Sequence, residues 1–475
     1  MHLNACEIAE AAGGEVVAGD ADARATSFGN DTRALLPGSC FVALTGHRDG
    51  HDFVRAALDA GSTVALVSRV PEGVRVGPGR ALVMVSDPLA ALGRLAARCR
   101  ATVLSEITVV GITGSTGKTS TKDLTAGAIG RFRSVHANPD SFNNELGLPL
   151  TLLGAGPHTD VVVAEMGARY AGNVADLCAI ARPQVGVITN VGLAHSEPLG
   201  GSEGILAAKG ELFAALPPSG LAVANAEDQS CDRLVALTEA TVVRVGSGPG
   251  VDVYVRDVHL DSELRPELTI DSPWGTVEAR LRVRGEHQVM NAALAAAVAL
   301  GIGVPPEEVS LGLADAAGSR WRLELEHSPA GLTVLNDAYN ANPTSMEAAL
   351  RSLARIETKG RRFAVLGEMR ELGDHAVEAH AGVGMLASAL GIDVLVAVGD
   401  LGPLVREASS GVAEVRTVPD AATALDVIST LACPGDVVLV KASRAVGLEH
   451  VAAGLVAGSA DEVLSARLGT AGDAS

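Results

Sequence analysis

The stretch Gly111-Ile-Thr-Gly-Ser-Thr-Gly-Lys-Thr-Ser120 carries the strongest chemical signal in the chain. Closely spaced glycines let backbone N–H groups converge on phosphate oxygens. A lysine after the last glycine brings charge to a transferred phosphoryl group, and the next hydroxyl can ligate Mg²⁺. Gly114, Ser115, Thr116, Gly117, Lys118, Thr119 and Ser120 are therefore the expected nucleotide cradle. The spacing is shorter than in the common phosphate loop, because Ile112 stands where the first glycine would be.

Lysine usage gives a second signal. Only Lys118, Lys122, Lys209, Lys359 and Lys441 are lysines among the 37 basic residues; the rest are arginines. A lysine kept against that background hints at chemistry a guanidinium cannot do, such as losing its proton. For Lys122 and Lys359, chance is a sufficient explanation. Glu165 and Asn190-Val-Gly-Leu-Ala-His195 each follow an apolar run, and Ala208-Lys209-Gly-Glu211 falls on an expected helix starting near Ser202. Ligands in open α/β sheets bind at the carboxyl ends of strands, where Glu165 and His195 fall. A hard cation suits Glu165, whereas a lone loop histidine is more often structural.

The elements that must position these residues fall into three α/β stretches. Residues 1–103 mix apolar runs (Ser39–Leu44, Thr63–Val67, Ala81–Val85) with helical stretches (Asp52–Ala60, Leu89–Arg100). Residues 104–317 contain runs at Glu106–Ile112, Val161–Ala164 and Val185–Thr189, helical patterns at Lys118–Ile129 and Asn291–Leu300, and the composition of a buried, mostly parallel sheet. Residues 318–475 alternate strands at Leu332–Leu335, Arg362–Leu366, Val394–Val398 and Asp436–Val440 with helices, which predicts a doubly wound sheet. The fold class is α/β with three domains: a small α/β domain, a central P-loop ATPase-like domain and a C-terminal Rossmann-like domain.

The short Thr-Gly-x-x-Gly-Lys-Thr loop, with the glutamate, histidine and lysine downstream, resembles the Mur ligase family and the related folylpolyglutamate and cyanophycin synthetases. In the Mur ligases the matching lysine is carbamylated by CO₂ and helps hold a second magnesium. The resemblance therefore implies ATP and Mg²⁺ as cofactors, a carbamate on Lys209, and Thr119, Glu165, His195 and Lys209 as the metal set. Gly285-Glu-His-Gln-Val-Met-Asn291 resembles the segment whose asparagine meets adenine, although Asn291 at a helix start also reads as a plain cap. Ser319-Arg-Trp-Arg-Leu-Glu324 resembles the entry to the third domain, with Arg322 directed at the ATP phosphates.

Asn336-Asp-Ala-Tyr-Asn-Ala-Asn-Pro343 and Leu366-Gly-Glu-Met-Arg-Glu-Leu-Gly373 resemble the family member that adds D-Ala-D-Ala. These motifs place Asp337 with the nucleotide and Tyr339 and Asn340 with substrate. Lys441-Ala-Ser-Arg444 resembles a family Lys-Gly-Ser-Arg, with Ala442 in place of glycine. In the first domain, Ser27, Asp31, Thr32, Arg33, Thr45 and Gly46 fall in segments that resemble a UDP-sugar site; Asn143 and Asn144 match a stretch that meets the muramoyl group. The implied partners are UDP-N-acetylmuramoyl-tripeptide and D-Ala-D-Ala. The implied reaction is ATP-dependent amide ligation through an acyl phosphate.

Composition bounds the rest. A net charge of −19 argues against broad nucleic-acid binding. The six cysteines form no C-x-x-C pair and read as free thiols of a reducing compartment. The N-terminus lacks a signal-peptide pattern and no run is long enough to span a bilayer, so a cytoplasmic monomer without membrane insertion is expected. Two rival readings stay open at this stage. A folylpolyglutamate-type ligase would lack the UDP-sugar segment; a nucleotide-dependent switch would leave Glu165, His195 and Lys209 unexplained.

Overall fold

The computed structural model describes residues 2–139, 141–192 and 199–458. Three larger sheets follow one another along the chain. The first orders the strands Glu15–Gly19, Ala81–Met84, Val64–Val67, Ser39–Val42 and Ser27–Gly29, parallel except for the Glu15–Gly19 edge. Helix Pro88–Ala101 packs beside it; Asp87 caps its start by accepting from the Leu89 and Ala90 N–H groups. At its other end the buried Arg100 donates Nε to the Ala181 carbonyl at 2.8 Å, which ties this helix to the central part of the chain.

The central sheet has nine strands. Thr108–Thr113 lies between Val185–Ile188 and Val161–Glu165, all parallel, so three loops emerge side by side at one sheet edge. These strands are almost fully buried runs rich in valine and isoleucine, as a sheet covered on both faces requires. The sheet is mostly parallel, as expected, and only its far end is antiparallel. Val253–Leu260, Pro266–Ser272 and Gly275–Arg280 form an antiparallel meander, with buried and exposed positions broadly alternating along Pro266–Ser272 and Gly275–Arg280.

Small side chains set the packing. The helix Gln288–Gly301 is apolar on nearly every side and is sealed in the interior beside the helix Lys118–Gly130. A third helix, Pro306–Asp315, comes so close that a Cβ on Gly312 would lie 2.3 Å from the Gly127 carbonyl oxygen. Such contacts let a protein with 3% aromatic residues fill its core. One expectation needs correction here. Asn291 lies inside the helix Gln288–Gly301, not at its start, so the plain-cap reading does not hold.

The third sheet orders Glu324–His327, Thr333–Asn336, Val437–Lys441, Arg362–Gly367, Val394–Val398 and Glu414–Val418; the first of these is antiparallel and the rest are parallel. It brings the carboxyl ends of Thr333–Asn336, Val437–Lys441 and Arg362–Gly367 together. Among the described residues no helix is long and apolar enough to cross a membrane.

Candidate active site

The phosphate loop joins the strand Thr108–Thr113 to the helix Lys118–Gly130. Two of its glycines are sterically required. Gly114 has φ of 150°, and a Cβ there would lie 1.9 Å from Thr189 Oγ1; Gly117 has φ of 78°, and its Cβ would lie 2.6 Å from Asn291 Oδ1. The loop is fastened to the neighbouring strand end. Ser115 N–H donates to the Asn190 carbonyl at 2.9 Å, Thr116 N–H to Asn190 Oδ1 at 3.0 Å, and Ser115 Oγ to the Gly192 carbonyl at 2.8 Å. The Lys118 ammonium folds back over the loop and donates to the Gly114 carbonyl at 2.8 Å. Burial lowers its pKa, with the Glu165 carboxylate opposing and Arg322 adding to the effect.

Glu165, buried at the end of Val161–Glu165, is held from both sides. Thr119 Oγ1 donates to its Oε2 at 2.8 Å and Asn143 Nδ2 to its Oε1 at 2.7 Å. Ser141 Oγ lies 3.1 Å from the same threonine hydroxyl. Asn144 Oδ1 accepts from the Leu146 and Gly147 N–H groups at the start of the helix Gly147–Gly154. The oxygens of Thr119 and Glu165 are thus adjacent, a donor set suited to a hard divalent cation.

Lys209 lies on the helix Gly201–Ala214 and is 1% exposed. No hydrogen bond or ion pair to it occurs among the described residues. Burial lowers its pKa well below 10.5, and the nearby Lys118 charge pushes the same way. Its neighbour Glu211 is structural: the carboxylate accepts from the Gly172 and Ala175 N–H groups and holds the start of the helix Asn173–Ala181. His195 lies outside the described residues.

The third sheet delivers a second set of groups. Arg322 Nη2 donates to Thr119 Oγ1 at 3.1 Å, and its guanidinium stacks on Tyr339, 4.1 Å from the ring centre. Its neighbours Trp321 and Leu323 both have left-handed backbone, with φ of 59° and 54°. Such residues cost energy unless their surroundings hold them. Trp321 N–H donates to Glu324 Oε2 at 3.2 Å, Leu323 N–H to Asp337 Oδ1 at 3.1 Å, and Ser319 Oγ to Asp123 Oδ2 at 2.5 Å.

Asp337 is bound on its other oxygen by the buried Lys441, Nζ to Oδ2 at 2.6 Å, and Lys441 also donates to the Asn340 carbonyl at 2.8 Å. The sequence assigns Lys441 no role, although its rarity as a lysine and the Lys441-Ala-Ser-Arg444 motif both mark it. Asn291 is likewise engaged. It accepts from Thr121 Oγ1 at 3.2 Å and donates to Gln288 Oε1 at 2.9 Å, beneath Gly117. Neither Thr121 nor Gln288 was foreseen.

The first-domain candidates form their own group. Arg33 pairs with Asp31 at 2.8 Å, and both are roughly half exposed; the guanidinium hydrogen bonds hold the Asp31 pKa down. Ser27 lies on the strand Ser27–Gly29 and Thr32 between Asp31 and Arg33. Thr45 bridges to Asp49, and Gly46 N–H donates to the Arg48 carbonyl at 3.1 Å.

Residues 112–299 match the Mur ligase middle domain, and residues 321–444 match the Mur ligase, glutamate ligase domain. The UDP-N-acetylmuramoyl-tripeptide–D-alanyl-D-alanine ligase of Mycobacterium tuberculosis is 42% identical over 96% of this chain and 98% of its own. The chain belongs to the Mur ligase family. Among solved structures, this Mur ligase is similar to MurF from Acinetobacter baumannii, with TM-score 0.84 and 30% identity over 96% of this chain and 99% of that one. MurF ligase from Thermotoga maritima, solved in complex with ADP, has TM-score 0.76 and 28% identity over 93% and 98%.

Proposed function

We propose that this chain ligates D-alanyl-D-alanine to UDP-N-acetylmuramoyl-tripeptide at the expense of ATP, a cytoplasmic step of peptidoglycan synthesis. One observation carries the assignment of residues: Arg322, just before the first strand of the third sheet, meets Thr119 of the phosphate loop, so one site draws on both parts of the chain. We take residues 1–103 as the UDP-sugar domain, 104–317 as the ATP domain and 318–475 as the dipeptide domain. All proposed groups lie on one chain, so a monomer suffices.

A carboxylate has no leaving group of its own. ATP's γ-phosphoryl passes to the tripeptide's terminal carboxylate, which forms an acyl phosphate and releases ADP. The dipeptide amine then attacks the acyl carbon, the amine loses a proton, and inorganic phosphate leaves. Two anions must approach, so the protein's part is positioning and charge. The backbone of Gly114–Ser120 cradles phosphates, with Lys118 and Arg322 on the transferred group. Asn291 supports the loop and faces the base, and Asp337 orders the Arg322 turn through Leu323. Tyr339 and Asn340 border the dipeptide. Asn143 and Asn144 border the muramoyl end, and Ser27, Asp31, Thr32, Arg33, Thr45 and Gly46 border the UDP end.

Thr119 and Glu165, with His195 and Lys209, would hold magnesium, which would supply charge neutralisation between the anions. A free ammonium at Lys209 would repel that ion. A buried amine with a lowered pKa is suited to adding CO₂: the nitrogen bonds to carbon, one proton is released, and the charge becomes negative. The test is phosphate release from ATP, measured with each amino substrate present or omitted. Release that requires both the UDP-tripeptide and D-Ala-D-Ala supports the reading; release independent of both points to a switch.

A further inference from the structure

The dipeptide arrives as a zwitterion whose carboxylate takes no part in the reaction, so something must recognise it away from the reacting amine. We propose that Arg444, assisted by Arg370, binds that terminal carboxylate. This inference rests on the function proposed above and adds the determinant of acceptor specificity. Arg444 follows the strand Val437–Lys441 and Arg370 follows Arg362–Gly367, two adjacent parallel strands, so both emerge at the ligand-binding end of the sheet. Their loops are joined: Arg370 N–H donates to Ser443 Oγ at 2.9 Å, and Ser443 N–H to the Glu368 carbonyl at 3.0 Å.

Arg444 is held in place yet open. Its guanidinium lies 4.3 Å from the Trp321 ring centre and its Nη1 donates to Glu449 Oε1 at 2.6 Å, while its side chain is 52% exposed. The remaining edge of the planar group suits a carboxylate by two parallel hydrogen bonds. Arg370 is similarly exposed, and its Nε lies 4.0 Å from Glu368 Oε2.

Location supports the role. Trp321 lies under Arg444, and the next residue, Arg322, reaches the phosphate loop. A carboxylate on Arg444 would therefore be held beside the segment that carries Arg322 to the groups assigned to the transferred phosphoryl. That matches a dipeptide whose amine attacks there while its other end is anchored.

The experiment compares D-Ala-D-Ala with its C-terminal amide as acceptor in wild type, Arg444→Ala and Arg444→Lys. Wild type should prefer the free acid in kcat/KM by about 10- to 100-fold, the range of a charge-assisted pair. Arg444→Ala should bring that ratio close to one. Arg444→Lys, which keeps the charge beside Glu449 but loses the planar edge, should fall between them. Because the ratio is taken within each variant, partial misfolding does not alter it. A wild type indifferent to the amide, or an Arg444→Ala enzyme that keeps the full preference, overturns the inference and leaves the proposed function standing. A wild type that makes no product from either acceptor overturns the function itself.

Discussion

Lys209 offers the sharpest test of the proposed metal site. At pH 7.5 an amine with the ordinary pKa of 10.5 is neutral in only about one molecule per thousand, and each unit of lowering raises that fraction tenfold. The buried Lys209 is shifted in that direction, by desolvation first and by the Lys118 charge second. A pool of neutral amine is what CO₂ requires. Lys209→Arg keeps the positive charge but cannot form the carbamate, so it should lose activity as fully as Lys209→Ala, by about 10²- to 10³-fold in kcat. Formate or acetate at high concentration should partly restore Lys209→Ala by supplying an oxygen donor, and should do nothing for Lys209→Arg. Activity should also fall as pH drops, because protonation removes the reactive amine. The assay is phosphate release with both substrates, alongside ¹³C NMR of protein equilibrated with labelled bicarbonate. A Lys209→Arg enzyme with near wild-type turnover would refute the reasoning.

Three further outcomes are expected. Arg33→Ala should raise KM for the UDP-tripeptide about tenfold and leave KM for ATP within threefold, read from initial rates; collapse of ATP affinity would remove Arg33 from the UDP end. Gly117→Ala must strain a backbone at φ 78° and push on Asn291, so it should lower stability by about 1–3 kcal/mol, measured by denaturant unfolding, and weaken ADP binding; an unchanged midpoint would contradict the geometry. In the native protein only Cys6 and Cys433 are exposed, while burial pushes the Cys40 and Cys178 thiols up to about 12 and Cys99 to about 11. A thiol reagent at pH 8 should label two cysteines quickly and the other four only on unfolding.

The phosphate loop was readable because its signal is local: glycine spacing and one lysine within ten residues. The buried strands were readable for the same reason, as short β-branched runs. The meander at 253–280 was not, because its polar, alternating strands make a weaker pattern than a buried run. Contacts between distant positions were also hidden. Asn190 fastens a loop 74 residues earlier, and Lys441 pairs with Asp337 across 104 residues. Nothing local in either segment names its partner. Asn291 shows the intermediate case, in which motif resemblance found the residue while the helix boundary that fixes its environment was misplaced by about a turn.

The chain contains only two tryptophans. Trp274 is 40% exposed on the outer meander, while Trp321 lies under the Arg444 guanidinium at the junction that carries Arg322 to the phosphate loop. The protein therefore carries its own optical gauge. Any rearrangement that slides Arg444 off the indole alters the emission of one chromophore and leaves the other as an internal reference. Replacing Trp274 with phenylalanine would isolate that signal, so nucleotide-driven movement at the junction could be followed in real time without attaching a dye.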